Sequence, residues 1–537
     1  MFVPKSIICL RDYSWKRFQG DLVAGLVVGL VALPLAMAFS IACGLPPERG
    51  LYTAVVAGFI ISALSGSRVA IGGPTGAFIV VVAGIVARHG YEGLATATVM
   101  AGFILILAGL SRLGSLVKFM PYPVITGFTS GIAVVIFSTQ VKDFLGLKMT
   151  IVPAGFFPKW YAYFKALPTL NPYALGIGLF TVGCIFLWPR QWKVPGSIGA
   201  LGIATVTVSW AHWPVETIHS RFGGIPKGLP AFHLLAFSGH QMMELLPAAF
   251  TIAVLAAVES LLCAVVADGM IGGNHKSNME LVAQGVANCV SPMLGGIPAT
   301  GAIARTATNV RNGGRTPVAG MIHALVLWLI LLVAGPLSDL IPLAALAGIL
   351  VVVCYHMSEW HSFKFILAGT RSDALVLLVS FLVTVLVNLT VGVGAGLGLA
   401  VLLFLWKMAE VSEVRALGHG NGLDDMGELQ IPSGVEVYSI RGSFFFGAAG
   451  KLMEVDRAIF KAPKVLILEL SAVFHMDISG LKAIRDIRRQ CQARGTRLVL
   501  VGVHAEPLAL LKKAGKVDKI GKENFKLSLA EALREFE

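Results

Sequence analysis

Two short stretches place glycine, proline and a hydroxyl inside otherwise apolar sequence: Gly72-Gly73-Pro74-Thr75-Gly76-Ala77-Phe78 and Gly296-Ile297-Pro298-Ala299-Thr300-Gly301-Ala302. A helix that begins after such a break presents N–H groups with no intrahelical partner, together with the positive end of its dipole. Proline suits the opening turn because it has no N–H to leave unpaired. Two openings that face each other make a pocket for an anion. Arg305 lies about two turns beyond Pro298. Placing an arginine in lipid costs at least about 2.5–3.5 kcal/mol, so it must face a cavity or a partner. Its planar guanidinium suits oxyanions and carboxylates. Glu259 sits in the stretch 251–267, otherwise apolar apart from Ser260. A carboxylate there is a functional candidate suited to proton coupling, and a structural ion pair with Arg305 is the other reading open to it. Phe39, in Pro34-Leu35-Ala36-Met37-Ala38-Phe39, is placed to wall the pocket, although an isolated Phe on a helix also fits a core.

These residues need a membrane to make sense, and the composition supplies one. The 537 residues are 56% hydrophobic and 14% charged, with a mean hydropathy of +0.77. A soluble chain sits nearer 45–50% apolar and about 25% charged. Soluble, disordered and fibrous classes are therefore excluded for most of the chain. The net charge of +13, from 43 Lys+Arg against 30 Asp+Glu, reads as the basic surplus of loops facing anionic lipid. No basic stripe interleaved with aromatics points to nucleic acid. The seven cysteines are scattered without a Cys-x-x-Cys pair, so neither a disulfide framework nor a metal site is expected.

Apolar stretches run at 22–43, 51–66, 74–88, 93–111, 121–141, 173–188, 196–211, 245–267, 279–291, 300–310, 317–335, 340–357, 373–390 and 391–406, fourteen segments in all. Several are too short to cross about 30 Å of hydrocarbon alone. The third and the tenth carry the two proline-led openings and hold matching places in two sets of seven. Because seven is odd, the second set starts from the opposite side, which is the pattern of an inverted repeat with two broken helices meeting at the midplane. Lys5, Arg11, Lys16 and Arg17 precede the first span and no cleavable leader is evident, placing that end in the cytoplasm. Arg68, Arg112, Lys118, Arg190, Lys193, Lys276, Arg311, Arg315, Lys364, Arg371 and Lys407 then all fall on the same side. The loop 142–172 is the exception, with Lys142, Lys148, Lys159 and Lys165 on the outside.

The expected organisation is a cytoplasmic segment at 1–20, a transmembrane transport domain at 21–410, a linker at 411–431 marked by Gly418, Gly420, Gly422, Asp424 and Asp425, and a soluble α/β domain at 432–537. In the last, 435–440, 465–470 and 497–503 read as strands and 480–494 as a helix. The polar run Asn274-His275-Lys276-Ser277-Asn278 reads as a turn, and 212–240 as an outer loop. No Ser/His/Asp constellation and no phosphate-binding glycine loop with lysine is present, so an enzyme is not expected, nor a cofactor.

In these residues the chain resembles the sulfate permease (SulP) family of anion transporters over nearly its whole length. The likeness is carried by Leu33-Pro34-Leu35-Ala36-Met37-Ala38-Phe39 with Gly50-Leu51-Tyr52, by Gly73-Pro74-Thr75-Gly76, and by His275-Lys276-Ser277-Asn278-Met279-Glu280-Leu281 through Ala283-Gln284-Gly285 and Asn288 to Pro298-Ala299-Thr300-Gly301. Met476-Asp477-Ile478-Ser479-Gly480-Leu481 matches the STAS domain that follows the membrane part in this family. The resemblance implies a polytopic α-helical membrane protein with a 7+7 inverted repeat, split into a core domain (spans 1–4 and 8–11) and a gate domain (5–7 and 12–14). It further implies a homodimer whose core moves against its gate like an elevator, with substrate between the starts of spans 3 and 10. By position, Phe39 lines that site, Thr75 and Gly76 cap one half-helix, and Ala304 and Arg305 flank the other. A regulator binding the STAS domain is a further implied partner.

Two departures refine this. The sodium–bicarbonate branch resembles this chain but has Asp and, four residues later, Thr in span 8, where Glu259 and Cys263 stand here; it also lacks an arginine at the place of Arg305. Cysteine is a poor sodium ligand, so proton coupling is expected over sodium. In sporulation-type STAS switches the residue after the Asp is phosphorylated; here it is Ile478, and Ser479 reads as structural. The expected function is secondary transport of a small inorganic or carboxylate anion, sulfate-like or bicarbonate-like, in the inner (plasma) membrane with both termini cytoplasmic. An anion channel and a sodium-coupled bicarbonate symporter are the alternatives. A nucleobase–cation symporter of the same fold fits less well, because segment 10 holds Arg305 and no carboxylate.

Overall fold

The computed structural model describes all residues except 1, 116–119, 150–151, 154, 190–194, 225–227, 229–231, 233–238, 412, 418–430, 443, 445–462 and 537. Lys118, Arg190 and Lys193 of the loop-charge pattern, part of the loop 212–240, and Gly418, Gly420, Gly422, Asp424 and Asp425 of the linker lie outside the described residues. The chain divides into two compact units, Met1–Leu397 and Gly398–Glu537.

The first unit is helical. In order it contains α1 (Lys5–Leu10), α2 (Trp15–Ala42), α3 (Pro47–Leu64), β1 (Gly72–Gly73), α4 (Ile79–Leu110), α5 (Tyr122–Leu145), α6 (Phe156–Ala166), α7 (Pro172–Leu187), α8 (Gly196–Ala211), α9 (Ile218–Phe222), α10 (Gly239–Ile271), α11 (Ser277–Val290), β2 (Thr300–Gly301), α12 (Ile303–Arg311), α13 (Val318–Ser338), α14 (Leu343–Met357), α15 (Trp360–Leu367), α16 (Arg371–Leu386) and the start of α17 (Leu389–Val411). Local signals set many boundaries. Ser14, Asn171 and Thr370 accept from the first-turn amides of α2, α7 and α16, and prolines occupy the opening turns of α3, α5 and α7.

Among the described residues, six helices are long and apolar enough to cross a bilayer by themselves, against fourteen apolar segments in the sequence. The difference has two causes. Gly90, at non-helical φ 65° and ψ −168°, breaks α4 into two helices that run on from each other, so the separate segments 74–88 and 93–111 count together as one long element. Others, such as the 14-residue α11 and 9-residue α12, are too short for a span. The described part of 142–172, a loop in the sequence reading, holds regular structure. It carries α6, bent by 117° against α7, and buries Lys159, whose Nζ donates to Ser138 Oγ at 3.4 Å.

Two sets of helices pack internally, matching the expected core and gate. In one, α4 lies against α10 and α11, and α13 against α2 and α3; in the other, α5 lies against α14 and α16, and α14 against α7. Where no water is present, helices associate by close backbone approach at small residues. At Gly50 a Cβ would stand 1.9 Å from the Ala36 carbonyl oxygen, so α3 rests on the backbone of α2. Gly102 and Gly285 do the same for α4 and α11. Two buried carboxylates pin segment ends. Asp21 accepts from Tyr13 Oη (3.0 Å), the Arg315 amide (2.8 Å) and the Thr316 amide and hydroxyl. Glu280 accepts from Ser65 Oγ (2.6 Å), the amides of Gly66 and Ser67, and Gln284 Nε2.

The second unit is a five-stranded sheet in the order β3 (Glu413–Leu417), β4 (Val435–Arg441), β5 (Val465–Ala472), β6 (Arg497–Val501), β7 (Phe525–Lys526). The edge strand β3 is antiparallel to β4 and the remaining pairs are parallel. Strand β3 falls within 411–431, which reads as linker in the sequence; its five residues gain order from pairing along β4, a long-range contact that local composition does not encode. Among the described residues the unit also holds helices α18 (Ile478–Ala493), α19 (Ala505–Lys513), α20 (Val517–Ile520) and α21 (Leu529–Arg534). Alternation along β5 is two-sided. Leu466, Leu468 and Leu470 pack with Ile484 and Ile487 of α18, while Val465 and Ile467 pack with Ala532 and Leu533 of α21. Asp477 caps α18 through the Gly480 amide at 2.9 Å, and Ile478 beside it is 69% exposed.

Replacing Gly50 by alanine tests the packing. The added methyl meets rigid backbone, so the Gly50→Ala protein is expected to lose about 1–3 kcal/mol of stability, seen as a lower melting midpoint of the purified protein. An unchanged midpoint would show that α2 and α3 are not held at this distance.

Candidate functional site

The site starts from a conflict within the chain. Two segments stop being helical at depth, and their backbone N–H and C=O groups need partners where water is scarce. They find each other. Strands β1 and β2 pair antiparallel, Gly72 opposite Gly301 and Gly73 opposite Thr300, and the Ala302 amide donates to the Ile71 carbonyl at 2.8 Å. The two chains thus enter this point from opposite directions, and each continues into a helix. On one side a short 3₁₀ turn, Gly76–Phe78, leads into α4; on the other, α12 opens after Ala302. The first helical bond of α12 is Thr306 N to Ala302 O, at 2.9 Å. The amides of Ile303, Ala304 and Arg305 therefore precede it and form the donor-rich end of that half-helix.

Side chains lock the crossing. Thr306 Oγ1 accepts from the Ile71 amide at 2.9 Å and lies 3.2 Å from Cys263 Sγ. Thr300 Oγ1 donates to the Ala256 carbonyl of α10, and Asn309 Nδ2 to the Val69 carbonyl. Arg305, 2% exposed, donates from Nη2 to the Pro74 carbonyl. Its other terminal nitrogen, Nη1, is buried with no hydrogen-bond partner. Gly73 makes room for that guanidinium: it adopts φ +148°, and a Cβ there would lie 2.5 Å from Nη1. Glycine is required by the dihedral, and a methyl there would have to push the guanidinium aside.

Each residue singled out from the sequence has a definite place. Thr75 Oγ1 donates to Glu259 Oε2 at 2.9 Å, joining the opening of α4 to α10. Glu259 is thus bonded to Thr75 and not to Arg305, so the structural ion pair between Glu259 and Arg305 is not formed. Gly76 is buried among side chains of three helices: a Cβ there would be 2.8 Å from Ile136 Cδ1 of α5, 3.4 Å from Phe39 Cε1 of α2 and 3.7 Å from Met357 Sδ of α14. Phe39 is 5% exposed. Ala304 is exposed while its neighbour Arg305 is buried, the two pointing to different faces of α12. Arg305 therefore turns towards the paired strands, away from the exposed face.

Sequence reasoning passed over several participants. Ile136 and Met357 are apolar residues in apolar helices and carry no signal of their own. Thr306 and Asn309 follow Arg305 on α12 and become informative only once α12 is known to lie against residues 69–71. His323 could have been found. It is an ionisable group in the apolar span α13, fully buried, with both ring nitrogens unpartnered, and such residues are functional candidates by default. It packs on Gly58, which in turn faces the Gly72 carbonyl of β1. His275, in the polar turn, is accounted for: it contacts Asp268 at 2.6 Å and Ser277 at 3.0 Å.

Residues 18–380 match the Sulfate permease family, and residues 428–532 match the STAS domain. The chain is 42% identical to YvdB of Bacillus subtilis over 519 residues, 96% of this chain and 97% of that protein. It is 31% identical to the bicarbonate transporter BicA of Synechocystis over 549 residues, 97% of this chain and 94% of that one. Its fold is similar to the overall structure of SLC26A9, with a TM-score of 0.86 at 19% identity, covering 98% of this chain and 92% of that chain. With broken helices paired at depth, multiple membrane helices and a C-terminal α/β domain of the matching kind, this chain belongs to the sulfate permease family of anion transporters.

Proposed function

We propose that the protein carries a small oxyanion, sulfate or bicarbonate in type, across the inner membrane by secondary transport coupled to protons. The anion sits between the openings of α4 and α12, where the amides at Thr75–Gly76 and Ile303–Arg305 converge, and Phe39, Ile136 and Met357 form the apolar wall. The observation that carries this reading is the antiparallel pairing of Gly72–Gly73 with Thr300–Gly301, which brings two helix N-termini together. The unpartnered Nη1 of Arg305 adds a fixed positive charge to the same region. Relatives named for bicarbonate transport support an oxyanion substrate.

Glu259 is the coupling residue in this reading. It lies one hydrogen bond from Thr75, so protonation and anion occupancy share one hydroxyl. The half-helices belong to the core set and the apolar wall draws on the gate set, through Ile136 and Met357. Sliding of core against gate, as an elevator within a homodimer, would carry the anion without dismantling the strand pair. The transport domain at 21–410, the STAS domain at 432–537 as a docking place for a regulator, and cytoplasmic termini complete the proposal.

Purified protein in liposomes, offered sulfate, bicarbonate, chloride and fumarate under separate pH and sodium gradients, tests the substrate and the coupling. Uptake of an oxyanion driven by the pH gradient is expected; uptake driven by sodium alone would overturn the proton assignment. With Glu259→Gln, uptake should stop responding to the pH gradient while anion binding stays near the parent value.

The Arg305→Gln variant should bind the anion about 10–100-fold more weakly, the worth of one charged hydrogen bond, measured by titration calorimetry. Gly73→Ala should give the same loss by displacing the guanidinium. Parent-like affinity in both would remove Arg305 from the site.

A further inference from the structure

A second place on the first unit gathers positive charge. A cavity of about 350 Å³ lies between α1, the start of α2, the segment after α3, the end of α10 and the loop before α13, within the size range of ligand pockets. Three arginines from three separate elements line it, Arg17, Arg68 and Arg315. Among the described residues none of the three is paired with a carboxylate side chain. Asp12 is the one acidic residue on the lining, and Arg17 reaches its backbone carbonyl, at 2.8 Å, and not its carboxylate.

The walls are built. Helix α1 is clamped over the end of α3 by the Lys5 amide on the Ser65 carbonyl (2.9 Å) and Ser6 Oγ on the Ala63 carbonyl (2.6 Å). Lys276 Nζ holds the Val3 carbonyl from below, at 3.1 Å. The backbone of Arg315 is fixed by Asp21, whose charge is used up by Tyr13, Arg315 and Thr316. Like charges press on the N-terminal segment: burial first, then Arg68 and Lys276, draw the Lys5 ammonium below its ordinary value. The arrangement spends three fixed cations on one cleft without neutralising them, which a purely structural cluster avoids.

The surroundings indicate where the missing anion comes from. Phe2 before α1, Ile7 and Leu10 on it, and Trp15 opening α2 are 42%, 51%, 52% and 71% exposed, and Trp15 stacks on Phe18. Aromatic and aliphatic residues beside arginines are the mark of a segment at the membrane–water boundary. We infer that the cleft formed by Arg17, Arg68 and Arg315 beneath α1 is a binding site for a phosphate group, supplied by an anionic phospholipid whose acyl chains lie along the apolar side of α1. Guanidinium forks match phosphate oxygens geometrically. Such a site would bind lipid at the transport domain's rim, separate from the anion pathway at Arg305.

The full-length protein is reconstituted in nanodiscs of dioleoyl phosphatidylcholine, with or without dioleoyl phosphatidylglycerol, and its melting midpoint and retained lipid (native mass spectrometry) are recorded. A parallel arm adds inorganic phosphate to the phosphatidylcholine sample. Phosphatidylglycerol is expected to raise the midpoint and to be retained, and each arginine removed should weaken retention about fivefold in Arg68→Gln and in the pair Arg68→Gln with Arg315→Gln. Arg68 makes no side-chain hydrogen bond among the described residues, so its single variant should keep the parent midpoint in pure phosphatidylcholine. Stabilisation by inorganic phosphate, with none from phosphatidylglycerol, would assign the site to the free ion and overturn the lipid source. Undiminished lipid retention in the double variant, or no response to either probe, would overturn the site.

Discussion

Inside a bilayer a broken helix has nowhere to send its backbone polar groups except to other protein. That constraint governs this molecule. Two breaks, at Pro74 and Pro298, would each be costly alone; together they satisfy one another as a two-residue antiparallel ladder. Arg305 then spans the ladder to the Pro74 carbonyl, and Thr306 and Asn309 hold the approach at residues 69–71. The consequence is electrostatic. Pairing uses backbone groups of the two strands and brings the openings of α4 and α12 close together.

The remaining helices fix where that space lies. Core helices are drawn together at glycine contacts so close that Gly50, Gly102 and Gly285 leave no room for a methyl group. Buried Asp21 and Glu280 settle the segment ends, each accepting several hydrogen bonds from neighbouring loops. The wall opposite the half-helices is apolar and drawn from α5 and α14. Polar donors on one side and apolar side chains on the other are what the proposed movement of core against gate requires. The basic cleft under α1 sits outside this machinery and shares none of its residues.

The C-terminal unit follows a different logic, that of a soluble sheet covered on both faces. Its parallel strands are apolar on successive residues because both faces are buried. At the place where sporulation-type switches carry a phosphorylated hydroxyl, an exposed Ile478 stands beside a helix-capping Asp477. The cap is retained while the hydroxyl is gone, so the position keeps its structural part.

Much of this could be read without coordinates. The membrane class followed from composition, the broken helices from two proline-led openings in matching places, and the strands at 435–440, 465–470 and 497–503 from apolar runs between turn residues. These are local properties, dictated by hydropathy, backbone restriction and period. The strand β3 was not legible, because 413–417 gains its order from pairing with β4; the break between 74–88 and 93–111 was legible, and Gly90 stands in it. Arg305 and Glu259 were recognisable as ionisable groups in apolar spans, but their partners were not: the sequence allowed them to pair, and the fold bonded Glu259 to Thr75 and Arg305 to Pro74. A residue's type and its immediate neighbours decide whether it needs a partner; which partner it obtains depends on contacts between residues far apart in the chain, and only tertiary packing decides those.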